Sequence, residues 1–141
     1  MTRYIVQSFL CLALFGSVAF AELPKDEEIA RLFVGKWNRQ MPPGSKDRST
    51  TTFEKDGTFS GVGRVADGKI EYKAEGKWRI ANGVLIEEIT KSSHPERVPA
   101  GTITKDTLIS VTKDEFRYQK KGASAVSYKR AAVEAQPSAP K

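Results

Sequence analysis

The tripeptide Gly35-Lys36-Trp37, with its second occurrence Gly76-Lys77-Trp78, is the stretch from which the rest of this chain can be interpreted. The two triplets contain the only tryptophans, and the residues between and after them alternate between apolar and polar in short runs separated by Asp-Gly and Asn-Gly pairs. Such alternation is typical of β-strands with one buried face, and these pairs are strong hairpin signals. The chain is therefore predicted to fold as a series of antiparallel hairpins.

The hairpin spacing predicts an all-β domain with eight or nine short strands. The turn Lys55-Asp56-Gly57 places Phe53 opposite Phe59, and residues 102–104 and 107–112 are predicted as two separate strands. The short loops favour an antiparallel up-and-down meander that closes into a barrel, because closure leaves no exposed strand edge. A sandwich of two sheets is the alternative.

A short helix is predicted at residues 24–33, before the first strand. Pro24 suits the first helical position, and the acidic residues that follow suit the positive end of the helix dipole. Ile29, Leu32 and Phe33 share one apolar face. This helix is expected to close one end of the barrel.

The first 21 residues predict export. Arg3 is their only charged residue, residues 5–20 are almost wholly apolar, and Ala19-Phe20-Ala21 has small residues at the positions that signal peptidase reads. Cleavage is expected after Ala21, which predicts a periplasmic or secreted protein with no membrane span. The remaining chain divides into a helix and lead-in, a barrel domain and a disordered tail, at residues 22–34, 35–130 and 131–141.

The residue pattern argues against an enzyme, a metal site or a cofactor. Cys11 lies in the predicted signal peptide, and His94 is the only histidine, in an expected exposed loop, so a catalytic triad or histidine-based metal site lacks partners. Glu87 and Glu88 are adjacent, so on a strand they point to opposite faces, and each is expected to pair with a cross-strand lysine. Basic residues alternate with acidic ones on outward faces, which argues against nucleic-acid binding.

Aromatic side chains are the candidates for a binding site. By alternation most of them face inward, where they either fill the core or line a ligand pocket with a few polar groups. Gly61 and Gly63, inside one strand, either allow it to bend or leave room for a ligand. The ligand-binding candidates are Trp37, Phe59, Tyr72, Trp78, Tyr118 and Tyr128.

Several of these residues form a pattern that resembles the small exported bacterial lipocalin-like (calycin-type) domains. Gly35-x-Trp37 after a short helix is similar to the opening motif of that group, and Tyr128-x-Arg130 is similar to its closing strand. The hairpin at residues 53–59 and the Gly76-Lys77-Trp78 triplet add to the likeness. The resemblance implies structural roles for Gly35, Trp37 and Arg130, with the guanidinium stacked over the indole.

Two functions follow as expectations. The resemblance implies a non-catalytic binding domain that takes a small apolar or amphipathic ligand in one mouth of the barrel. Alternatively, the two longest loops, at residues 41–48 and 91–101, could recognise a protein partner, because loops on a rigid scaffold often carry recognition. In that case the domain is an interaction or inhibitor module.

Overall fold

The computed structural model describes residues 22–132. The predicted signal peptide and residues 133–141 of the predicted tail lie outside the described residues. One helix and eight strands follow one another in the described chain: α1 (Asp26–Phe33), β1 (Gly35–Arg39), β2 (Arg48–Phe53), β3 (Thr58–Val65), β4 (Ile70–Ala81), β5 (Val84–Ser92), β6 (Ile103–Val111), β7 (Glu115–Gln119) and β8 (Ala125–Arg130).

The eight strands form one closed antiparallel barrel in chain order. Each strand pairs with the next, and β1 pairs with β8 so that Trp37 lies opposite Arg130. The predicted meander and barrel closure are confirmed, and the alternative of a two-sheet sandwich is wrong. Phe53 lies opposite Phe59, as the turn between them predicts. Closure satisfies the backbone of the first and last strands without leaving an edge exposed to other chains.

One predicted division between strands is wrong, and one strand pair contains a bulge. Residues 102–104 and 107–112 are not separate strands, because Lys105 and Asp106 continue the ladder with β5 within a single β6. β4 runs through Gly76, where its register against β5 shifts. The extra residue of this bulge, Thr90, lies in β5, because Gly76 pairs with Ile89 and Glu75 with Lys91. The alternation of β4 therefore continues unbroken through Gly76.

The helix α1 closes one end of the barrel. It begins at Asp26, two residues later than predicted, after Lys25 in an extended conformation. The Asp26 carboxylate accepts hydrogen bonds from the backbone N–H groups of Asn82 (2.7 Å) and Gly83 (3.0 Å) in the β4–β5 hairpin. Ile29 and Phe33 are fully buried. No helix in residues 22–132 has the length and hydrophobicity that a bilayer span requires.

An aromatic cluster fills the barrel beneath the helix. The ring centroid of Phe33 lies 4.4 Å from that of Phe116, and the Phe53 centroid lies 5.2 Å from that of Trp78. Trp37 packs edge-on against Phe116 at 4.9 Å between centroids. Close-packed aromatic rings in this half of the barrel leave any internal space to the opposite end.

Candidate functional site

The end of the barrel opposite the helix is the open end. In an antiparallel meander successive connections alternate between the two ends, and the turns after β2, β4 and β6 lie at the helix end. The loops at residues 40–47, 66–69, 93–102 and 120–124 therefore share the open end. The two longest loops, which the sequence singles out separately, form one rim.

A cavity of about 390 Å³ opens between these loops and extends into the barrel. Its apolar walls come from Phe59, Val65, Ile89 and Val98, and tyrosines add rings with polar hydroxyl groups. Basic side chains lie at its rim. The polar and charged lining residues include Arg39, Tyr72, Glu87, His94, Arg97, Thr104, Asp106, Tyr118, Lys120 and Tyr128.

Small residues on β3 and β4 shape one wall of the cavity. Phe59 lies opposite Gly76, and Tyr72 opposite Gly63, so that in each pair an aromatic ring covers a glycine. A Cβ added to Gly63 would lie 2.6 Å from Cε1 of Tyr72, which leaves no room for a side chain. Between these two aromatic pairs, Gly61 lies opposite Ala74.

Gly61 has room for a side chain. A Cβ added there would meet no atom closer than 3.8 Å, the nearest being Oγ1 of Thr51. Because Gly61 and Ala74 both line the cavity, their small size creates part of its volume. The two strand glycines thus have different roles: Gly63 allows a close approach of Tyr72, and Gly61 leaves room in the cavity.

The six aromatic candidates separate into two groups. Phe59, Tyr72, Tyr118 and Tyr128 line the cavity. The Tyr72 hydroxyl is additionally held by Ser49, at 3.1 Å between the two oxygens. Tyr118 and Tyr128 stack on each other, with 6.0 Å between ring centroids.

The two tryptophans lie at the helix end and line no part of this cavity. The Trp37 indole N–H donates to the carbonyl of Phe33 (2.7 Å), and that of Trp78 donates to the carbonyl of Glu54 (3.0 Å). Each ring is buried with its one polar group satisfied by backbone. Their positions are those of core residues that fix the helix end of the barrel.

Arg130 joins the helix to the barrel. Its guanidinium carbon lies 4.1 Å from the ring centroid of Trp37, in a cation–π arrangement. Its N–H groups donate to the carbonyl oxygens of Leu32 (2.7 Å) and Val34 (3.0 Å), at the end of the helix. Gly35 has a φ of +128°, and a side chain there would collide with this guanidinium.

Two acidic side chains inside the cavity are absent from the sequence-based candidates. Glu87 points inward between Leu85 and Ile89, and receives a hydrogen bond from Thr104 (3.4 Å) in place of the expected cross-strand lysine. Asp106 is only 2% exposed. Because residues 105–106 are predicted to separate two strands, Asp106 is not predicted to face inward. The alternation of Thr104, Asp106 and Leu108 is the signal that would have placed it inside.

The two acids lie on one face of neighbouring strands. Leu85 pairs with Asp106 and Glu87 with Thr104, so Glu87 and Asp106 are diagonal neighbours on the cavity wall. Within residues 22–132, no side-chain hydrogen bond or ion pair within 4.0 Å reaches the Asp106 carboxylate. The Asp106 carboxylate thus faces a cavity without a protein partner.

Burial changes the ionisation of these groups. Burial raises the pKa of Glu87 to about 7, the negative charge of Asp106 adds to this effect, and Lys120 opposes it. Burial also raises the pKa of Asp106, against the opposing charge of Lys120. For the same reason the pKa values of Tyr118 and Tyr128 are raised, so both hydroxyls stay neutral hydrogen-bonding groups.

His94 is not the exposed loop residue that the sequence suggests. Its side chain is about one-third exposed, and its ring nitrogens lie 3.0 Å from a carboxylate oxygen of Glu96 and 2.8 Å from the carbonyl oxygen of Glu71. The imidazolium form can donate to both acceptors at once. His94 thus ties the long rim loop to β4 and forms part of the cavity wall.

Neither a protein-family model nor a curated protein matches this chain. Among solved structures it is similar to a lipocalin-like protein from Bacteroides uniformis ATCC 8492, with a TM-score of 0.51 at 15% identity, over 71% of this chain and 99% of that one. An uncharacterized protein from Bacteroides eggerthii DSM 20697 gives a TM-score of 0.46 at 16% identity, over 70% and 99% of the two chains. The first likeness and the closed eight-stranded meander agree: the described chain has a lipocalin-like β-barrel fold.

Proposed function

We propose that this protein is an exported, non-catalytic binding domain that takes a small apolar or amphipathic ligand in the open mouth of its barrel. The observation that carries the proposal is the cavity of about 390 Å³ lined by Phe59, Ile89 and three tyrosines. Ligand sites are typically concave, mostly apolar and about 300–1,000 Å³ in volume, with a few polar groups that orient the ligand.

The aromatic cluster limits how deeply a ligand can enter the barrel. Phe33, Phe53 and Phe116 are at most 2% exposed and occupy the helix end of the barrel. A ligand therefore enters from the rim and reaches only part of the way along the axis. This depth suits a compact molecule and excludes a long acyl chain lying fully inside.

Two features support the remaining parts of the proposal. Export is supported by the composition of residues 1–21. The absence of catalysis is supported by the bonding of the only histidine, His94, to Glu96 and Glu71, which occupies both ring nitrogens. A histidine held in this way is placed to organise the rim loop and not to activate a nucleophile.

A cavity-filling substitution tests the proposal. Gly61→Val projects a branched side chain into the cavity from a position where a Cβ makes only ordinary contacts and φ is not positive. Ser60→Val is the matched control, because it adds a valine to the adjacent, exposed position on the outer face of the same strand. The probe is the neutral fluorophore phenylnaphthylamine, whose emission rises when it enters an apolar site.

We expect saturable binding of the probe by the unmodified protein and by Ser60→Val. Gly61→Val should weaken it by about tenfold or more, which corresponds to about 1.4 kcal/mol of binding free energy. The proposal fails if the protein does not bind the probe saturably. It also fails if both variants bind the probe equally well.

The shared rim supports a second candidate, a protein-interaction or inhibitor module. The loops at residues 40–47 and 93–102 lie at the same end of the barrel, so one partner could contact both. Replacing each loop with a short Gly-Ser linker should abolish recovery of a specific partner from the exported fraction. Equal recovery by the unmodified protein and by the double replacement would rule out recognition through these loops.

A further inference from the structure

We propose that the ligand of this cavity carries a protonated amine, which forms ion pairs with the carboxylates of Asp106 and Glu87. The inference rests on the proposed binding function and specifies the chemical class of the ligand. Its starting point is that Asp106 is 2% exposed and lines the cavity, yet no hydrogen bond or ion pair within the described residues reaches its carboxylate.

A carboxylate in a cavity wall without a protein partner is unfavourable, because it loses part of its hydration and gains no protein hydrogen bond in return. A second carboxylate, that of Glu87, lies on the neighbouring strand with only the Thr104 hydroxyl as its hydrogen-bond donor, and the negative charge of Asp106 opposes its ionisation. Replacing both acids with neutral residues would remove this energetic cost. Their presence is explained if a cation from outside the chain completes the site when the ligand binds.

The geometry suits one ammonium group. Glu87 and Asp106 are diagonal neighbours on the same face of β5 and β6, a separation that one group can bridge. An ammonium has three donors, enough for one bond to each carboxylate and one to a nearby hydroxyl such as Thr104. Charge-assisted bonds of this kind are about twice as strong as neutral ones.

The surrounding rings suit the rest of the ligand. Phe59, Tyr118 and Tyr128 line the same cavity, and aromatic faces attract both apolar groups and organic cations. A compact amine with an aromatic or branched aliphatic body would place its charge against the acids and its body against these rings. The ligand class is therefore a small amphipathic amine.

Basic side chains of the protein also lie near the site, and they favour a competing hypothesis about the charge of the ligand. Arg39, Arg97 and Lys120 line the cavity, and the positive charge of Lys120 opposes the rise in the pKa of both acids. Lys120 is exposed and makes no ion pair with either acid within 4.0 Å. If the rim cations instead recognised the ligand, it would be an anion, such as a carboxylate.

Three probes with one ring and different head groups separate these cases: phenethylamine, phenethyl alcohol and phenylacetate. Each is used to displace phenylnaphthylamine from the purified protein at neutral pH. The variants are Asp106→Asn and Glu87→Gln, which keep the side-chain shape and remove the charge. Glu88→Gln, on the exposed face of the same strand, is the matched control.

We expect the amine to displace the fluorophore at about tenfold lower concentration than the alcohol. Asp106→Asn should remove this advantage, Glu87→Gln should reduce it, and Glu88→Gln should leave it intact. Binding of the fluorophore itself should persist in all three variants, which shows that they are folded.

The outcomes separate this inference from the proposed function. If the protein binds the fluorophore but the amine has no advantage over the alcohol, the inference fails and the binding function stands. If phenylacetate displaces the fluorophore best, the rim cations recognise an anion and the inference is overturned. If the fluorophore does not bind at all, both proposals fail.

Discussion

The guanidinium carbon of Arg130 lies 4.1 Å from the ring centroid of Trp37, across the strand pair that closes the barrel. The same guanidinium donates hydrogen bonds to the carbonyl oxygens of Leu32, Val34 and Lys113. One side chain therefore joins the last strand, the first strand, the end of the helix and the β6–β7 turn. Through Arg130 the helix end and the first strand are joined to segments at the other end of the barrel domain's sequence.

Replacing Arg130 should loosen this junction. Arg130→Ala removes the cation–π contact and leaves the carbonyls of Leu32 and Val34 without their donors, so we expect a loss of about 2–4 kcal/mol in unfolding free energy. Denaturant unfolding measures it. Lys129→Ala, at the adjacent exposed position, should change stability by less than about 0.5 kcal/mol. Similar losses in both variants would contradict the role assigned to Arg130.

The two strand glycines should respond differently to one methyl group. Gly63→Ala places a Cβ 2.5 Å from the carbonyl oxygen of Arg48 and 2.6 Å from the ring of Tyr72, so we expect a loss of about 1–3 kcal/mol. Gly61→Ala has room, and should be neutral or more stable by about 0.4–1 kcal/mol because alanine restricts the unfolded chain. Thermal melting of both variants checks this. Equal effects would show that Gly61 does not have the room for a methyl group that its contacts indicate.

The contact between Asp26 and the β4–β5 hairpin should hold the helix against the barrel. Asp26→Ala removes the acceptor for the N–H groups of Asn82 and Gly83, and we expect a loss of about 1–3 kcal/mol. Hydrogen exchange should show faster exchange of these two amides. Glu27→Ala, exposed in the same helical turn, is the control and should leave them protected. Unchanged protection in Asp26→Ala would refute the contact.

Glu87 should make the barrel less stable as pH rises. Its pKa is raised from 4.5 to about 7, so between these pH values the folded protein binds more protons than the unfolded chain. The stability linked to Glu87 is therefore present below pH 4.5 and lost as pH rises through 7. Glu87→Gln should be more stable than the native protein at pH 8, by up to about 3 kcal/mol, and should converge with it near pH 4.5.

Denaturant unfolding across this pH range measures that difference. Glu88→Gln, on the exposed face, should show no comparable divergence from the native protein. A stability difference between Glu87→Gln and native that stays constant from acid to alkaline pH would show that Glu87 is not buried in the cavity as an acid.

Local signals were sufficient for most of the fold because hairpins are local structures. Asn82 and Gly83 both adopt positive φ (53° and 69°), the conformation that a two-residue hairpin turn requires and that Asn-Gly favours. The alternation around Tyr72 and Trp78 likewise identified their strand and its inward face. The exceptions were the helix start at Asp26 and the division of β6, where charged residues within a strand resembled a turn.

The candidate site was less predictable because every inward-facing aromatic has the same pattern in sequence. Alternation places Trp37 and Tyr118 inside the barrel alike, yet one packs under the helix and the other lines the cavity. Asp106 shows the opposite difficulty: its charge suggests an exposed position, although it continues the inward alternation of Thr104 and Leu108.

By itself, the sequence determined the strand order, the hairpin turns, the closing contact between Trp37 and Arg130, and an all-β barrel plugged by a helix. These follow from periods and turn residues that act over a few positions, and from one family-like motif. Only the tertiary structure decided which end is open, that the two long loops share it, and that Gly61, Glu87 and Asp106 face one cavity. Those facts depend on which residues meet across strands, and that is set when the barrel closes around the aromatic rings that fill its other half.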